Sequence, residues 1–436
     1  MQMSPMPAPK AGHAAIARLA PALPLVAIAV AMIAPRGTIA SFIAIALLPI
    51  LVLFAVDGIR PAFDARPGPL QIVLLLIGAY LAVNALWAVD RVEAYGKVGF
   101  YWLLLVLVWL AAQGITRLDD RMLERISRGL LIGCAVGALF LLIEVVTGQW
   151  IKRTAFTLLP FARPPPKHIQ VQNDAVTLIG SYVLNRSFAV LSLALWPVLL
   201  LIRGYLSANA ARIATALLLA ATAVGVFRSE HETSMLSLVF ASVAFLGVWL
   251  LPRLFRPLIV VGWIAATMLV VPLAMASYSA GLHQAKWIPE TGRNRIILWN
   301  VTSEKVREAP ILGIGIGSTK DLDEQAAAGS KVLPGHSYPQ RTGRHAHNIY
   351  LQTWYELGAV GAILLLGLGL VILRQLGRLP LAIQPYAFAS FVAAALIGAF
   401  SWGMWQTWFM AGFGIWALLL LLAIEAARRD SRLTPR

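Results

Sequence analysis

The sequence has few charged residues and one cysteine, and both shortages exclude classes of protein. Only 13% of its 436 residues are Asp, Glu, Lys or Arg, whereas 59% are hydrophobic. A soluble domain carries roughly 25% charged residues, so the composition excludes an ordinary soluble fold and indicates an integral membrane protein. Cys134 is the single cysteine, so the chain can form no intrachain disulfide.

Acidic residues are scarcer than basic ones, and this shortage bears on the partners. The chain has 20 Asp and Glu against 36 Lys and Arg, a formal net charge of +16. In a membrane protein this excess favours anionic lipids and anionic substrates over nucleic acid. Asp321-Leu-Asp323 resembles a metal-binding pair, but a polar helix start explains it better. We therefore expect no metal and no cofactor.

Long apolar runs dominate the rest of the sequence. A run of about 17–25 residues crosses a bilayer as a helix, so the sequence predicts an all-α polytopic membrane protein of about twelve transmembrane helices. The predicted spans are residues 19–34, 38–56, 70–86, 98–113, 129–147, 175–202, 210–227, 235–251, 258–276, 348–373, 381–400 and 405–426. Asn185 and Arg186 interrupt the sixth span, and Glu144 lies in the fifth without a partner visible in the sequence.

The distribution of arginine and lysine predicts the topology of a single integral membrane domain covering residues 1–436. Basic residues in short loops mark the cytoplasmic side, and clusters such as Arg117, Arg121, Arg125 and Arg128 recur after every second span. Both termini are therefore expected in the cytoplasm. Two longer loops, 148–174 and 277–347, fall on the opposite side, and both are basic.

A cluster of polar residues lies where the larger loop meets the tenth span. Arg341, Arg344, His345, His347 and Asn348 directly precede a long apolar run. Ionisable groups close to the hydrocarbon are costly and usually mark function. Because the two histidines are two residues apart at the mouth of a helix, we expect their side chains to point in different directions.

A second motif lies earlier in the same loop. Arg293, Arg295 and Trp299 belong to a predicted amphipathic helix over residues 293–307, which Pro310 should stop. A glycine-rich turn follows at Gly313, Gly315 and Gly317. The turn lacks the Gly-Lys-Ser/Thr order of a nucleotide-binding loop. A guanidinium binds two phosphate oxygens at once, so the arginines suit a pyrophosphate.

These motifs together resemble the signature of the O-antigen ligase and O-antigen polymerase family. The matching positions at the tenth span are His347, Asn348, Leu351, Glu356, Gly358 and Gly361. Arg295, four residues before Trp299, is similar to an arginine of the family's loop. Arg186, after Asn185, resembles the family's upstream active-site arginine.

The resemblance implies a membrane glycosyltransferase of the C-type fold that needs no metal. The donor would be O-antigen on undecaprenyl pyrophosphate and the acceptor lipid A-core, on the periplasmic side of the inner membrane. His347 would act as the general base, because an imidazole has a pKa near neutrality. Arg186 and Arg295 would stabilise the leaving pyrophosphate. The expected substrate-binding residues are Arg293, Arg341, Arg344 and Asn348.

Two other functions share this signature, and a third alternative belongs to a different class of protein. An O-antigen polymerase uses the same donor with a second lipid-linked repeat as acceptor, and a protein O-oligosaccharyltransferase carries the same core motif. The basic loop before the tenth span favours the ligase, because lipid A-core is rich in phosphate. A lipid-linked sugar transporter would require charges along a central path through several spans, whereas most charges here lie at one face.

Overall fold

The computed structural model describes residues 11–56, 58, 66–326, 329, 332, 338–400 and 402–430, and these residues are nearly all helical. Parts of the predicted 277–347 loop (327–328, 330–331 and 333–337) therefore lie outside the described residues. The helices are α1 (Ala11–Ile33), α2 (Thr38–Val56), α3 (Pro69–Asn84), α4 (Arg91–Arg117), α5 (Asp120–Val146), α6 (Trp150–Leu158), α7 (Asn185–Tyr205), α8 (Ala208–Arg228), α9 (Glu232–Leu250), α10 (Pro252–Met268), α11 (Val270–Ser279), α12 (Glu290–Val306), α13 (Thr319–Ala326), α14 (Ile349–Leu376), α15 (Gln384–Phe400) and α16 (Thr407–Arg429).

Each of the twelve predicted apolar runs contains a helix. In the described part of the chain, nine helical segments are long and apolar enough to cross a membrane, or up to ten if α10 and α11, bent by 73°, form one span. The apolar parts of α1 and α15 are shorter. The polytopic, nearly all-α fold is thus confirmed, and the count of twelve spans and the C-type fold stay predictions.

The start of the sixth predicted span was wrong. Residues 175–179 form strand β2 (Ala175–Ile179), which pairs antiparallel with β1 (Ile169–Gln172). Asn173 and Asp174, both with positive φ (48° and 61°), make the tight turn between them. Because α7 begins only at Asn185, Asn185 and Arg186 start this helix and do not interrupt it.

Contacts divide the chain into two compact units, and the single-domain organisation stays a prediction. The first unit covers the described parts of Met1–Ala65, Val106–Leu238 and Ala411–Arg436. In it, α1 packs so closely on α5 that a Cβ added at Gly129, Gly133 or Gly137 would lie within 2.5 Å of α1 atoms. Small residues four apart let two helices approach in this way. Helix α7 packs against α1, α5 and α8 and is buried along most of its length.

The second unit covers Arg66–Leu105 and the described parts of Val239–Met410. Helix α14 packs there against α3, α10, α12 and α15. The predicted loop helix is confirmed as α12, which begins three residues earlier than expected. Helix α14 is broken inside its length at Gly358, where φ is 64° and ψ is −164°.

Candidate functional site

The break in α14 holds the glycine-rich segment of the loop. In a straight helix, Tyr355 and Glu356 would accept hydrogen bonds from the N–H groups of Ala359 and Val360. Here Ile314 N donates to Tyr355 O at 3.1 Å and Gly315 N to Glu356 O at 3.0 Å. Ala359 N in turn donates to Pro310 O at 2.9 Å, and Val360 N to Ile311 O at 3.2 Å. Segment 310–315 therefore satisfies the backbone groups that the break would leave unpaired in a membrane helix.

Two glycines make this close approach possible. A Cβ at Gly358 would lie 2.3 Å from Ile311 O, and a Cβ at Gly313 would lie 2.3 Å from Glu356 O. Both residues also have positive φ, which side chains disfavour. The predicted glycine-rich turn is confirmed, and its function in the structure is to pack on α14.

The carboxylate of Glu356 lies at the centre of this contact and is fully buried. One oxygen accepts from Thr319 Oγ1 at 2.5 Å and Gln352 Nε2 at 3.0 Å. The other accepts from Gly317 N at 2.9 Å and from Trp405 Nε1. A buried carboxylate requires several donors of this kind, and they come from three separate segments of the chain.

Helix α3 and Trp87, which follows it, make a second set of polar contacts that were not predicted from the sequence. Asn84 is fully buried and accepts from Ile316 N at 2.6 Å while donating to Leu312 O at 2.9 Å. Tyr80 donates to Leu357 O at 2.7 Å, and Trp87 to Gly313 O at 3.2 Å. An asparagine inside an apolar span is a recognisable sign of such a polar contact.

The loop helix α12 positions the segment that carries the two histidines. Trp299 Nε1 donates to Ala346 O at 2.8 Å, which fixes the backbone between His345 and His347. The two imidazole rings pack together, with centroids 4.1 Å apart and planes tilted by 40°. The prediction that they diverge was therefore wrong. It assumed helical spacing, whereas α14 begins only at Ile349 and both histidines lie in the loop before it.

Burial keeps the His345 imidazole uncharged. Desolvation, followed by the proximity of His347 and Arg344, lowers the pKa of His345 to about 3. Its Nε2 atom is buried and has no hydrogen-bond partner among the described residues. His347 has a positive φ of 52°, a conformation that costs energy for a residue with a side chain.

The arginines at 341 and 344 are paired with carboxylates of α13. Arg341 Nε lies 3.5 Å from Oδ1 of the buried Asp323, and Arg344 Nη2 lies 3.3 Å from Glu324 Oε1. Thr342 Oγ1 also lies 3.4 Å from Asp323 Oδ1. The expectation that the Asp-x-Asp segment starts a polar helix is confirmed, since α13 begins at Thr319.

The remaining predicted site residues lie on α7, on α12 and directly before α14. Asn348 caps α14, because its side chain accepts from Leu351 N at 3.0 Å. On α12, Arg295 precedes Trp299 by four residues and so shares its face, whereas the six-residue spacing puts Arg293 on another face. Arg186 is the second residue of α7 in the other unit. The catalytic and binding roles given to these residues stay predictions.

A cavity of about 260 Å³ in the second unit brings several polar side chains together. It is lined by Glu93, Lys97, Gly317, Lys320, Arg344, His345, Gln352, Glu356, Gly403, Trp405 and Gln406. Three of these residues are cationic, and one is the imidazole that packs on His347. Such a cavity offers positive charge to an anion next to the imidazole pair. Within the described part of the chain, no three His, Cys, Asp or Glu side chains cluster as metal ligands.

Comparison with known proteins agrees with these motifs. Residues 215–366 match the family model described as O-antigen ligase. A protein of Rickettsia conorii named as a polysaccharide ligase is 24% identical over 365 residues, which are 81% of this chain and 80% of the relative.

Two further relatives, from Rickettsia prowazekii and Rickettsia typhi, carry the same kind of name. Each is 26% identical, over 249 and 252 residues respectively, and the alignments cover 56% of this chain and 59% of each relative. The range matched by the family model, residues 215–366, includes α12, the glycine-rich turn and the start of α14. This match of residues 215–366 to the O-antigen ligase family model confirms the resemblance seen in the sequence.

Proposed function

We propose that this protein is an O-antigen ligase. In this proposal it transfers the polysaccharide of an undecaprenyl pyrophosphate donor to a hydroxyl of lipid A-core, on the periplasmic side of the inner membrane. The observation that carries the proposal is the O-antigen ligase match over residues 215–366, which contains His347 and the loop packed beside it. The relatives named as polysaccharide ligases support the same reaction class.

The reaction would be a substitution at the anomeric carbon of the donor sugar. The acceptor oxygen forms a bond to this carbon while the bond to the pyrophosphate oxygen breaks, and undecaprenyl pyrophosphate leaves. The acceptor proton would pass to His347. Because the neighbouring His345 is uncharged at neutral pH, His347 can accept this proton without repulsion from a second imidazolium.

The leaving group gains negative charge in the transition state, so cations directed at it lower the barrier. Arg186 and Arg295 are the proposed catalytic arginines, with Arg293 and Arg344 as auxiliaries. Arg341 would contribute indirectly, through its pairing with Asp323. Asn348 would act by capping α14 and so fixing the residue before it.

The glycolipid profile of a deletion strain tests this function. The strain should accumulate full-length polymer on undecaprenyl pyrophosphate and leave lipid A-core bare. Single repeats on the core would identify a polymerase instead. An unchanged core profile with loss of protein glycosylation would identify a protein-directed transferase.

Complementation of that strain tests the general base. We expect His347→Ala to lower ligation by about 10²–10⁴-fold, the usual contribution of a general base, at unchanged membrane levels. His345→Ala should cost less, because its effect acts through packing on His347. An active His347→Ala variant beside an inactive His345→Ala variant would contradict the assignment.

Cysteine labelling tests the proposed orientation. In a Cys134→Ala background, an impermeant thiol reagent should label Thr291→Cys in intact spheroplasts. Arg378→Cys should be labelled only after permeabilisation. Both positions are exposed, so the reverse pattern would place the loop on the cytoplasmic side.

A further inference from the structure

Two lysines in the cavity share a single carboxylate. Lys97 Nζ lies 2.9 Å from Glu93 Oε1, and Lys320 Nζ lies 3.4 Å from Glu93 Oε2. The lysines come from α4 and α13, which are far apart in the sequence. Within this lysine–glutamate–lysine triplet (Lys97, Glu93 and Lys320), two positive charges therefore face one negative charge.

The other cavity carboxylate does not compensate this excess through direct contact. Both oxygens of Glu356 are occupied by the four donors described above. Arg344 adds another positive charge to the cavity wall, and its carboxylate partner Glu324 is half-exposed. The cavity therefore offers more positive than negative charge to a ligand.

The Lys97 ammonium lies directly against the backbone at Gly317. A Cβ built on Gly317 would lie 2.0 Å from Lys97 Nζ, so the ammonium occupies the space that any side chain would fill. The side chain of Lys97 is 16% exposed, against 34% for Lys320 and 40% for Glu93. An ammonium group is strongly hydrated, and within the triplet the Glu93 carboxylate is the anion that offsets the removal of this water.

A purely structural role explains this arrangement poorly. Half-exposed ion pairs contribute little to stability, yet here the side chain of Lys97 is only 16% exposed and its ammonium lies against a glycine backbone at the wall of a cavity. A phosphate group accepts hydrogen bonds from two lysines in the way that the Glu93 carboxylate does, and it carries more charge. Glu93 therefore occupies a position between two cations that suits a phosphate.

We propose that Lys97 and Lys320 form a phosphate-binding subsite, with Glu93 as the internal carboxylate that the ligand displaces. Under the proposed function, on which this assignment rests, the ligand is the pyrophosphate of the lipid-linked donor. The subsite lines the same cavity as His345 and Arg344. It would thus hold the leaving group close to the imidazole pair.

Equilibrium binding tests the subsite without turnover. The full chain is reconstituted in phosphatidylcholine nanodiscs, and its affinity for inorganic pyrophosphate is measured by titration calorimetry with no sugar or acceptor present. Lys97→Met and Lys320→Met should each weaken binding roughly tenfold or more, because each removes a charged hydrogen bond. Lys305→Met is the matched control, since Lys305 is half-exposed on α12 and pairs with Glu308 at 3.7 Å; its affinity should equal that of the parent.

Glu93→Gln separates a binding site from a structural ion pair. Removing the competing carboxylate should tighten pyrophosphate binding by roughly threefold to tenfold. If the triplet only stabilises the fold, Glu93→Gln should instead weaken it, as the loss of either lysine would. Weaker binding in Glu93→Gln, or parent-like binding in Lys320→Met, would overturn the proposal. Thermal unfolding checks that each variant is folded. If Lys97→Met is not, Lys320→Met and Glu93→Gln still decide the outcome.

Two further titrations identify the source of the phosphate. Inorganic phosphate should bind at least about tenfold more weakly than pyrophosphate if the subsite serves a diphosphate. Nanodiscs that contain phosphatidylglycerol should leave the pyrophosphate affinity unchanged. Strong competition by phosphatidylglycerol would assign the subsite to a lipid headgroup and overturn the donor assignment. Because no sugar is transferred here, this result is independent of the glycolipid profile.

Discussion

Two glutamates are fully buried inside apolar helices, and they are satisfied in different ways. Glu144 in α5 accepts from Ile151 N at 2.9 Å and Lys152 N at 3.2 Å, which are backbone groups at the start of α6. These donors are seven and eight residues away along the chain. Glu356 in α14 accepts from donors that are 4, 37, 39 and 49 residues away.

A buried glutamate therefore makes local contacts in one case and joins distant segments of the chain in the other. Glu144 caps the next helix and fixes one turn of the chain, a role that it can fill without any other segment. Glu356 joins the glycine-rich turn, its own helix and the segment before α16. The effect of removing it should therefore spread to the cavity that these segments line.

Among the changes that test this comparison, Gly358→Ala should have the largest effect on stability and ligation. The new Cβ would lie 2.3 Å from Ile311 O, at a φ and ψ that residues other than glycine avoid. Strain and overlap together should cost roughly 2–6 kcal/mol, enough to abolish ligation and lower the yield of folded protein. The measurement is thermal unfolding in detergent together with ligation in cells.

Gly367→Ala is the matched control for that change. Gly367 lies in the same helix, and a Cβ there would meet no atom within 4 Å. Alanine is favoured over glycine within a helix by about 0.5–1 kcal/mol, so the variant should be at least as stable as the parent. Equal losses at the two positions would show that the break at Gly358 has no special role.

Exchanging each glutamate for glutamine should give a smaller but unequal effect. In Glu356→Gln the new amide group must face donors on either side. Gln352 could flip to accept from it only by giving up its contact with Met404 N. A loss of about 1–3 kcal/mol is expected. Glu144→Gln keeps one carbonyl oxygen for both backbone donors and should cost less than about 1 kcal/mol.

Unfolding temperatures and ligation rates of the two glutamine variants check this prediction. Glu356→Gln should lower both, and Glu144→Gln should leave ligation close to that of the parent. Similar losses in the two variants would mean that the long-range contacts of Glu356 add nothing beyond burial.

A further expected effect is a dependence of stability on pH. Burial lowers the pKa of His345 to about 3 from an ordinary value of 6.5. Between these values the unfolded chain binds a proton that the folded chain does not, so the free energy of unfolding falls as the pH falls. From pH 7 to 5, the unfolding temperature of the parent should drop more than that of His345→Asn. Equal drops would contradict the buried, neutral state of this histidine.

The sequence predicted the parts of the site whose members are close together in the chain. The apolar runs, the loop helix, the glycine-rich turn and the polar residues at 341–348 were all visible from composition, period and motif. The errors arose where local context misled. Residues 175–179 are apolar enough to extend a span but form a hairpin strand, and the two histidines were judged by helical geometry that does not apply before Ile349.

Partners that are backbone groups could not be predicted, because a sequence does not display them. Glu144 had no visible partner since its donors are the N–H groups of the next helix. Asn84 and Glu356 were readable as polar residues in apolar surroundings, but their shared contact with residues 310–319 depends on chain pairing over long distances. Lys97 and Lys320 are likewise joined only through the fold.

The backbone hydrogen bonds on either side of Gly358 divide the long loop into two parts that are fixed independently. Residues 310–315 form four backbone hydrogen bonds with α14. This contact divides the stretch between α11 and α14 into two shorter loops, one before it and one after it. The entropy cost of closing each loop grows only slowly with its length. An insertion in one loop should therefore be tolerated without moving the other. A chimera that exchanges the whole stretch with that of a relative would have to include residues 355–360 to keep these hydrogen bonds.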